Sequence, residues 1–285
     1  MEITAAMVKE LREKTGAGIL NAKQALVEND GDMNKAMEYL RQKGIASADK
    51  KMGRIAAEGV ITSVVAGNVG AMVEVNCETD FVAKNEDFIS CVNDIANVVA
   101  KENPKDVDAL YAAKVNGSTV EDFIKEKIAK IGEKITIRRF VRYEGKIATY
   151  IHNKKIGVLL DYENGDETLA KDICLHIASN APEFVSRKEI PQSVIDEETR
   201  IEMGKEDLAK KPDNIKAKIV EGRVNKLMSS KCLLEQPFVK NPDITIEKVI
   251  EGKMNIKTFT RYVLGEGLEK RQDNFAEEVM NQIKG

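Results

Sequence analysis

The sequence predicts an α+β fold in which helices and strands occupy separate stretches of the chain. Apolar residues recur at helical spacing through the first fifty residues, and from residue 59 they alternate with period two. The strand pattern returns later in the chain, which indicates a duplicated unit. We therefore expect a small helical domain followed by two related α+β core subdomains with antiparallel sheets.

Residues 1–53 are predicted to form a three-helix N-terminal domain and a tether. Turn residues end the first helix at 15–18 and the second at 29–31, and the third is expected to end before Gly44. The polar stretch 46–54 lacks apolar periodicity, so it is predicted to link this domain to the rest of the chain.

The first core subdomain is predicted over residues 54–143. Two β-branched runs, 59–65 and 70–75, flank the turn at 66–68, which favours a hairpin. Beyond Asn85 one apolar stripe recurs at the spacing of an amphipathic helix: Phe88, Val92, Ile95, Ala96 and Val99. A sheet with helices on one face is the expected result.

The second core subdomain, residues 144–264, repeats the first. A Glu-Gly pair, a strand, a turn and a glycine-led second strand begin at residue 58 and again at residue 144. Both units close on an IxxFxRY spacing, at 137–143 and at 256–262. The starts are offset by 86 residues and the ends by 119, so the second unit holds a net insertion of 33 residues.

The insertion is placed at about residues 182–228 and is predicted to be an antiparallel helical hairpin. Val194, Ile201 and Leu208 are spaced by seven, and a proline at 212 separates them from a second helical pattern. Two interpretations stay open: a solvated excursion that packs on its own body, or an arm that forms a homodimer. Residues 265–285 are predicted to form a C-terminal helical module.

Composition favours a protein partner. The 44 Lys and Arg against 47 Asp and Glu leave a net charge of -3, so no basic field exists for direct nucleic-acid binding. Charged residues stand at the N-terminus where a secretion signal would be apolar, and no apolar stretch approaches membrane-spanning length. We expect a cytoplasmic protein with no membrane contact.

Sequence motifs for catalysis, cofactors or metals are missing. The four cysteines are separated by 14, 83 and 58 residues, which fits neither a zinc pattern nor a redox pair and indicates reduced thiols. With two isolated histidines and no phosphate-binding loop, we expect no catalytic residue, no metal and no cofactor.

The segment CETDFVAKN at 77–85 places an aromatic residue among charges. Phe81 and Val82 either fold inward as core residues or form an exposed apolar wedge for a partner's pocket, with Asp80 beside it. Composition alone does not choose between these interpretations.

Three motifs resemble the bacterial elongation factor Ts family. They are TDFVAKN at 79–85, VKELREKTGAGILNAKQAL at 8–26 and FTRYVLGEG at 259–267, and the resemblance follows the whole chain in order. It implies an N-terminal domain like ubiquitin-associated modules, duplicated core subdomains, a helical-hairpin insertion and a C-terminal module.

The resemblance also implies a guanine-nucleotide exchange factor for elongation factor Tu, a GTPase. The segment implied to enter the GTPase and displace its magnesium ion is Thr79, Asp80, Phe81 and Val82. Further contacts are implied for Arg12, Ile19 and Leu20 on the G domain and for His152 on another domain. The alternative function is a non-catalytic protein-binding adaptor that dimerises through its helical hairpin.

Overall fold

The computed structural model describes residues 3–209 and 211–269. Its N-terminal half contains α1 Ala5–Thr15, α2 Ile19–Glu28, α3 Met33–Lys51, β1 Glu58–Ala66, β2 Val69–Cys77, α4 Asp80–Ala83, α5 Glu86–Glu102, α6 Val107–Ala112, β3 Lys114–Val115, β4 Ser118–Thr119, α7 Val120–Ile131 and β5 Ile135–Glu144. The remainder contains β6 Lys146–His152, β7 Ile156–Asn164, α8 Glu167–Asn180, α9 Gln192–Met203, α10 Asp213–Lys231, β8 Pro237–Phe238, β9 Asn241–Thr245, α11 Ile246–Ile250 and β10 Met254–Val263. The α+β class is confirmed, and the helix predicted near the C-terminus lies outside the described residues.

The first three helices bury a small apolar core. The Thr4 hydroxyl caps α1 by accepting the Met7 N–H at 3.3 Å, and Gly16 ends that helix in the left-handed region at φ 68°. The buried side chains come from all three helices: Val8, Leu11, Ala22, Ala25, Leu26 and Ala36.

Helix α3 continues through Gly44, so the expectation that this helix ends before Gly44 is wrong. The stretch 46–54 is helical as far as Lys51, and its role as a tether remains a prediction. A Cβ on Gly44 would lie 2.8 Å from the Ala129 Cβ of α7, so only glycine permits this close approach. The glycine therefore serves packing between α3 and α7, and helix extends to Lys51.

The two predicted hairpins and their duplication appear as two three-stranded sheets. Their strand orders are β1-β2-β5 and β10-β7-β6, so the second strand of each hairpin is central and a later strand covers its free edge. The IxxFxRY segments lie on the covering strands β5 and β10. Close contacts explain why a glycine is repeated at the start of each unit. A Cβ on Gly59 would lie 2.2 Å from the Val75 oxygen, and one on Gly145 would lie 2.4 Å from Asp161 Oδ1.

The chain divides into two compact units. Of the described residues, one unit comprises 3–64, 71–142 and 262–269, and the other comprises 65–70, 143–209 and 211–261. The domain boundaries expected from the sequence remain predictions.

Within the first unit, β2 carries a completely buried carboxylate, that of Glu74. It accepts hydrogen bonds from Arg138 Nη1 at 2.9 Å, Arg139 Nε at 2.6 Å and the Gly265 N–H at 2.8 Å. These bonds fix the turn that follows β10 against the sheet.

Within the second unit, α9 and α10 form the predicted hairpin, whose apolar cluster is buried on α10 and half-buried at Val194 and Ile195 of α9. The buried stripe of α10 is Val220, Val224 and Met228. Ile201 is exposed on α9. Because α9 ends at Met203 and Leu208 lies in a separate 3-10 turn, the spacing of seven does not follow one helix. Self-association through this hairpin remains a prediction.

The second unit also buries His176 in a hydrogen-bond network. Its Nδ1 accepts the Val239 N–H at 3.2 Å, so that nitrogen carries no proton, and Nε2–H donates to Gln236 Oε1 at 2.8 Å. Burial lowers the pKa of His176 below its ordinary value of 6.5, against a smaller opposing effect of the Gln236 hydrogen bond.

Two helical glycines give opposite expectations on replacement by alanine. Gly222→Ala in α10 meets open space and should raise the free energy of unfolding by up to about 1 kcal/mol, because alanine is the better helix former. Gly44→Ala should lower it by about 1–3 kcal/mol, since the new methyl group overpacks against Ala129. Denaturant titration measures both, and equal stabilisation by the two variants would show that the contact tolerates a side chain.

The His176 network predicts a dependence of stability on pH. The unfolded chain binds a proton at this histidine more readily than the folded chain, so stability should fall as pH drops from about 6.5 towards the lowered folded pKa. The difference in free energy of unfolding between wild type and His176→Gln, followed from pH 8 to pH 5, isolates this contribution. A difference that stays constant with pH would contradict the neutral assignment.

Candidate partner-binding site

The predicted TDFV segment forms one short helical turn, α4, where a loop was expected. The Thr79 side chain caps it by accepting the Val82 N–H at 3.3 Å. Asn85 then caps α5 by accepting the Asp87 N–H at 2.8 Å, so the turn lies between two side-chain caps. The turn is thus held at both ends by side chains of its own sequence.

The ring of Phe81 stands in solvent. The residue is 81% exposed, and no residue of α4 is buried, so the interpretation of Phe81 as a core residue is wrong. The Lys84 ammonium lies 2.6 Å from Asp80 Oδ2 and 6.0 Å from the centre of the Phe81 ring. Val82 is half-buried beneath the turn. An aromatic ring beside a carboxylate is therefore presented outward.

The base of the turn is tied to residues far along the sequence. Glu133 Oε2 accepts the N–H groups of Glu78 at 3.1 Å and Thr79 at 3.0 Å, and Glu133 Oε1 accepts the Thr79 hydroxyl at 2.6 Å. In return Glu78 Oε1 accepts the Lys134 N–H at 2.7 Å and Arg54 Nη1 at 3.2 Å. Sequence reasoning missed Glu133, because nothing local marks a partner 54 residues away.

Cys77 ends β2 just before the turn, in an environment that disfavours its thiolate. Burial, together with the nearby Glu133 carboxylate, raises its pKa to about 12, and its thiol donates to the Thr79 oxygen at 3.2 Å. Burial likewise raises the pKa of Cys91 and of Cys174 to about 12. All four cysteines are free and buried, as the sequence predicted for reduced thiols.

A second exposed apolar group lies at the start of α2. Ile19 is 57% and Leu20 is 81% exposed, and the sequence had singled out both. Arg12 is exposed on α1 of the same bundle. Val27 at the far end of α2 is also 57% exposed. It stands seven residues after Leu20, which places both on one face of the helix, and sequence reasoning did not single it out.

His152 lies in the second unit, at the end of β6. It is exposed, its Nδ1 is 3.1 Å from the Tyr150 hydroxyl, and its Nε2 is 3.2 Å from the Asn153 amide nitrogen. The Tyr150 ring stacks on the imidazole with 6.2 Å between ring centres. The side chain is thus held in one orientation by its neighbours.

The described part of the chain offers no group of three or more His, Cys, Asp or Glu residues arranged to hold a metal ion. None of its described helices is long and apolar enough to cross a membrane. Among the described large hydrophobic residues, Phe81 on α4 and Leu20 on α2 are the most exposed, at 81% each, and such groups suit contact with another macromolecule.

Comparison with known proteins gives a consistent family. The family model described as Elongation factor TS matches residues 78–266. The chain is 50% identical over 286 residues to Elongation factor Ts of Chromobacterium violaceum, and the match covers 99% of each chain. It is 48% identical over 292 residues to Elongation factor Ts of Thioalkalivibrio sulfidiphilus and 46% identical over 291 residues to that of Alkalilimnicola ehrlichii, with 100% of each chain covered.

These similarities define a translation elongation factor, a protein of protein biosynthesis. The chain belongs to the elongation factor Ts family.

The exposure of Phe81 predicts that its side chain is dispensable for folding. Phe81→Ala should change the free energy of unfolding by less than about 0.5 kcal/mol. Phe88→Ala is the matched control, since that ring is completely buried and its loss should cost about 3–5 kcal/mol. Thermal melts of both variants test this, and a large loss for Phe81→Ala would mean that the ring packs inside the protein.

Proposed function

We propose that this chain is a guanine-nucleotide exchange factor that binds elongation factor Tu in its GDP form and promotes GDP release. The observation that carries the proposal is the exposed ring of Phe81 on a capped helical turn, in a chain of the elongation factor Ts family. Leaving a phenylalanine in water forgoes roughly 1.5–3 kcal/mol of burial, which a partner's pocket would recover.

In the proposed mechanism Asp80 and Phe81 enter the GTPase and displace groups around its nucleotide-bound magnesium ion. Magnesium is the largest positive charge near the diphosphate of GDP, so its dislocation leaves the negative charge of the diphosphate poorly compensated. GDP then dissociates and GTP rebinds. No covalent bond is made or broken, so the factor acts without enzymatic chemistry of its own.

Contacts away from the nucleotide supply the binding energy that sustains the nucleotide-free complex. We assign Ile19 and Leu20 to apolar contact with the G domain of the GTPase and Arg12 to a charged contact, because these side chains are exposed. We assign His152 to a separate domain of the GTPase. By linkage, a factor that binds the nucleotide-free GTPase more tightly than the GDP form lowers the affinity of the GTPase for GDP by the same factor.

The site of action is the cytoplasm, where translation elongation takes place, and nucleic acid is not contacted directly. The competing proposal, a protein-binding adaptor, uses the same exposed apolar surfaces but requires no effect on nucleotide. GDP release is therefore the measurement that separates the two proposals.

Release of labelled GDP from preloaded elongation factor Tu should accelerate on addition of the wild-type chain. Phe81→Ala should reduce that acceleration by about tenfold or more, in the range of a binding hot spot. Ile201→Ala, which truncates another exposed apolar residue outside the proposed contacts, should behave as wild type. Tight binding of the wild-type chain without faster GDP release would favour the adaptor.

A further inference from the structure

The turn that presents Phe81 has little intrinsic stability. Helix α4 comprises four residues, none of them buried, whereas isolated helices need more than about twelve residues to be stable in water. Because no side chain of this turn is fully buried, the hydrogen bonds at its base contribute much of what holds its conformation.

The Glu133 carboxylate determines which way the Thr79 hydroxyl points. A carboxylate can only accept, so the single hydroxyl proton is directed to Glu133 Oε1 at 2.6 Å. The hydroxyl lone pairs then remain available to the Val82 N–H at 3.3 Å, which is the capping bond of α4. Glu133 thus maintains a cap that it does not itself make.

Glu133 also anchors the backbone that leads into the turn. Its other oxygen accepts the N–H groups of both Glu78 and Thr79, and a carboxylate makes such bonds roughly twice as strong as a neutral acceptor does. In the reverse direction, the Lys134 N–H donates to Glu78 Oε1 at 2.7 Å, so each of the two segments accepts a backbone hydrogen bond from the other. The backbone before Asp80 is therefore fixed on two sides.

We propose that Glu133 is a positioning residue for nucleotide exchange, which holds α4 in its binding conformation before the partner arrives. The proposal rests on the proposed function of the chain. If the turn is already ordered, binding does not include the entropy cost of ordering it. A high fraction of the free protein then has the turn in its binding conformation. Glu133 itself need not touch the partner.

The test measures labelled-GDP release from elongation factor Tu at increasing concentrations of wild type, Glu133→Gln, Glu133→Ala and a control. Glu133→Ala should raise the half-saturating concentration about tenfold and leave the saturating rate within about twofold, because only the competent fraction falls. Glu133→Gln keeps one acceptor oxygen, so its half-saturating concentration should lie between those of wild type and Glu133→Ala. Glu121→Ala removes an exposed carboxylate that lies 2.9 Å from the Lys125 ammonium, and it should match wild type.

Hydrogen exchange of the free proteins provides a readout that needs no partner. The amides of Glu78, Thr79 and Val82 should exchange faster in both Glu133 variants, while the melting transition of Glu133→Gln stays close to wild type. If Glu133→Ala does not fold, Glu133→Gln carries both measurements.

Two results would overturn the positioning role: an unchanged half-saturating concentration, or unchanged amide exchange at these three positions. A wild-type chain that fails to accelerate GDP release would instead refute the proposed function. Hydrogen exchange of the free proteins would still decide whether Glu133 orders the turn. A lowered saturating rate at an unchanged half-saturating concentration would place Glu133 in the displacement step and contradict prior ordering.

Discussion

The carboxylate of Glu74 is completely buried, and two guanidinium groups and one backbone amide compensate it. An unpaired charge in that position would cost several kcal/mol, so strand β5 must bring Arg138 and Arg139 to it together. Arg139 reaches further, with Nη2 donating to the Val263 oxygen at 3.0 Å and the guanidinium lying 4.1 Å from the centre of the Tyr262 ring. One buried charge thereby fixes the covering strand of the first sheet and the chain that leaves β10.

Carboxylates also join distant segments at the base of α4, where the groups involved are half-buried and the result is different. There, Glu78 and Glu133 accept backbone amides from each other's segments, and the ordered structure is a surface turn that carries an apolar ring. In both places a carboxylate joins segments distant in sequence by satisfying N–H groups that no regular strand or helix would satisfy. The sheets supply the framework, and these acidic side chains determine how the irregular segments lie on it.

Local patterns predicted much of the fold. The hairpins, the buried stripe of α5 and the duplicated strand framework follow from alternation, helical spacing and turn residues, which act over a few neighbours. The prediction failed where a residue distant in sequence determines the local structure. Gly44 packs against Ala129 inside α3 and does not end the helix. The segment expected to be a loop is a helical turn whose cap, Thr79, is hydrogen-bonded to Glu133. In α10 the apolar residues surround much of the helix, so their spacing alone did not identify Val220, Val224 and Met228 as the buried stripe. The TDFV segment was located from its mixed composition and resemblance, but its exposure and its supporting carboxylate required three-dimensional contacts.

The burial of every cysteine has a practical consequence for watching this molecule at work. Because the native thiols are buried and the burial of each raises its pKa, they hold no appreciable thiolate at neutral pH. One cysteine introduced on the exposed surface would then be the only fast-reacting thiol of the folded chain. A fluorophore or spin label could be placed beside α4 without first removing the four native cysteines, and its signal would report directly on the arrival of a partner.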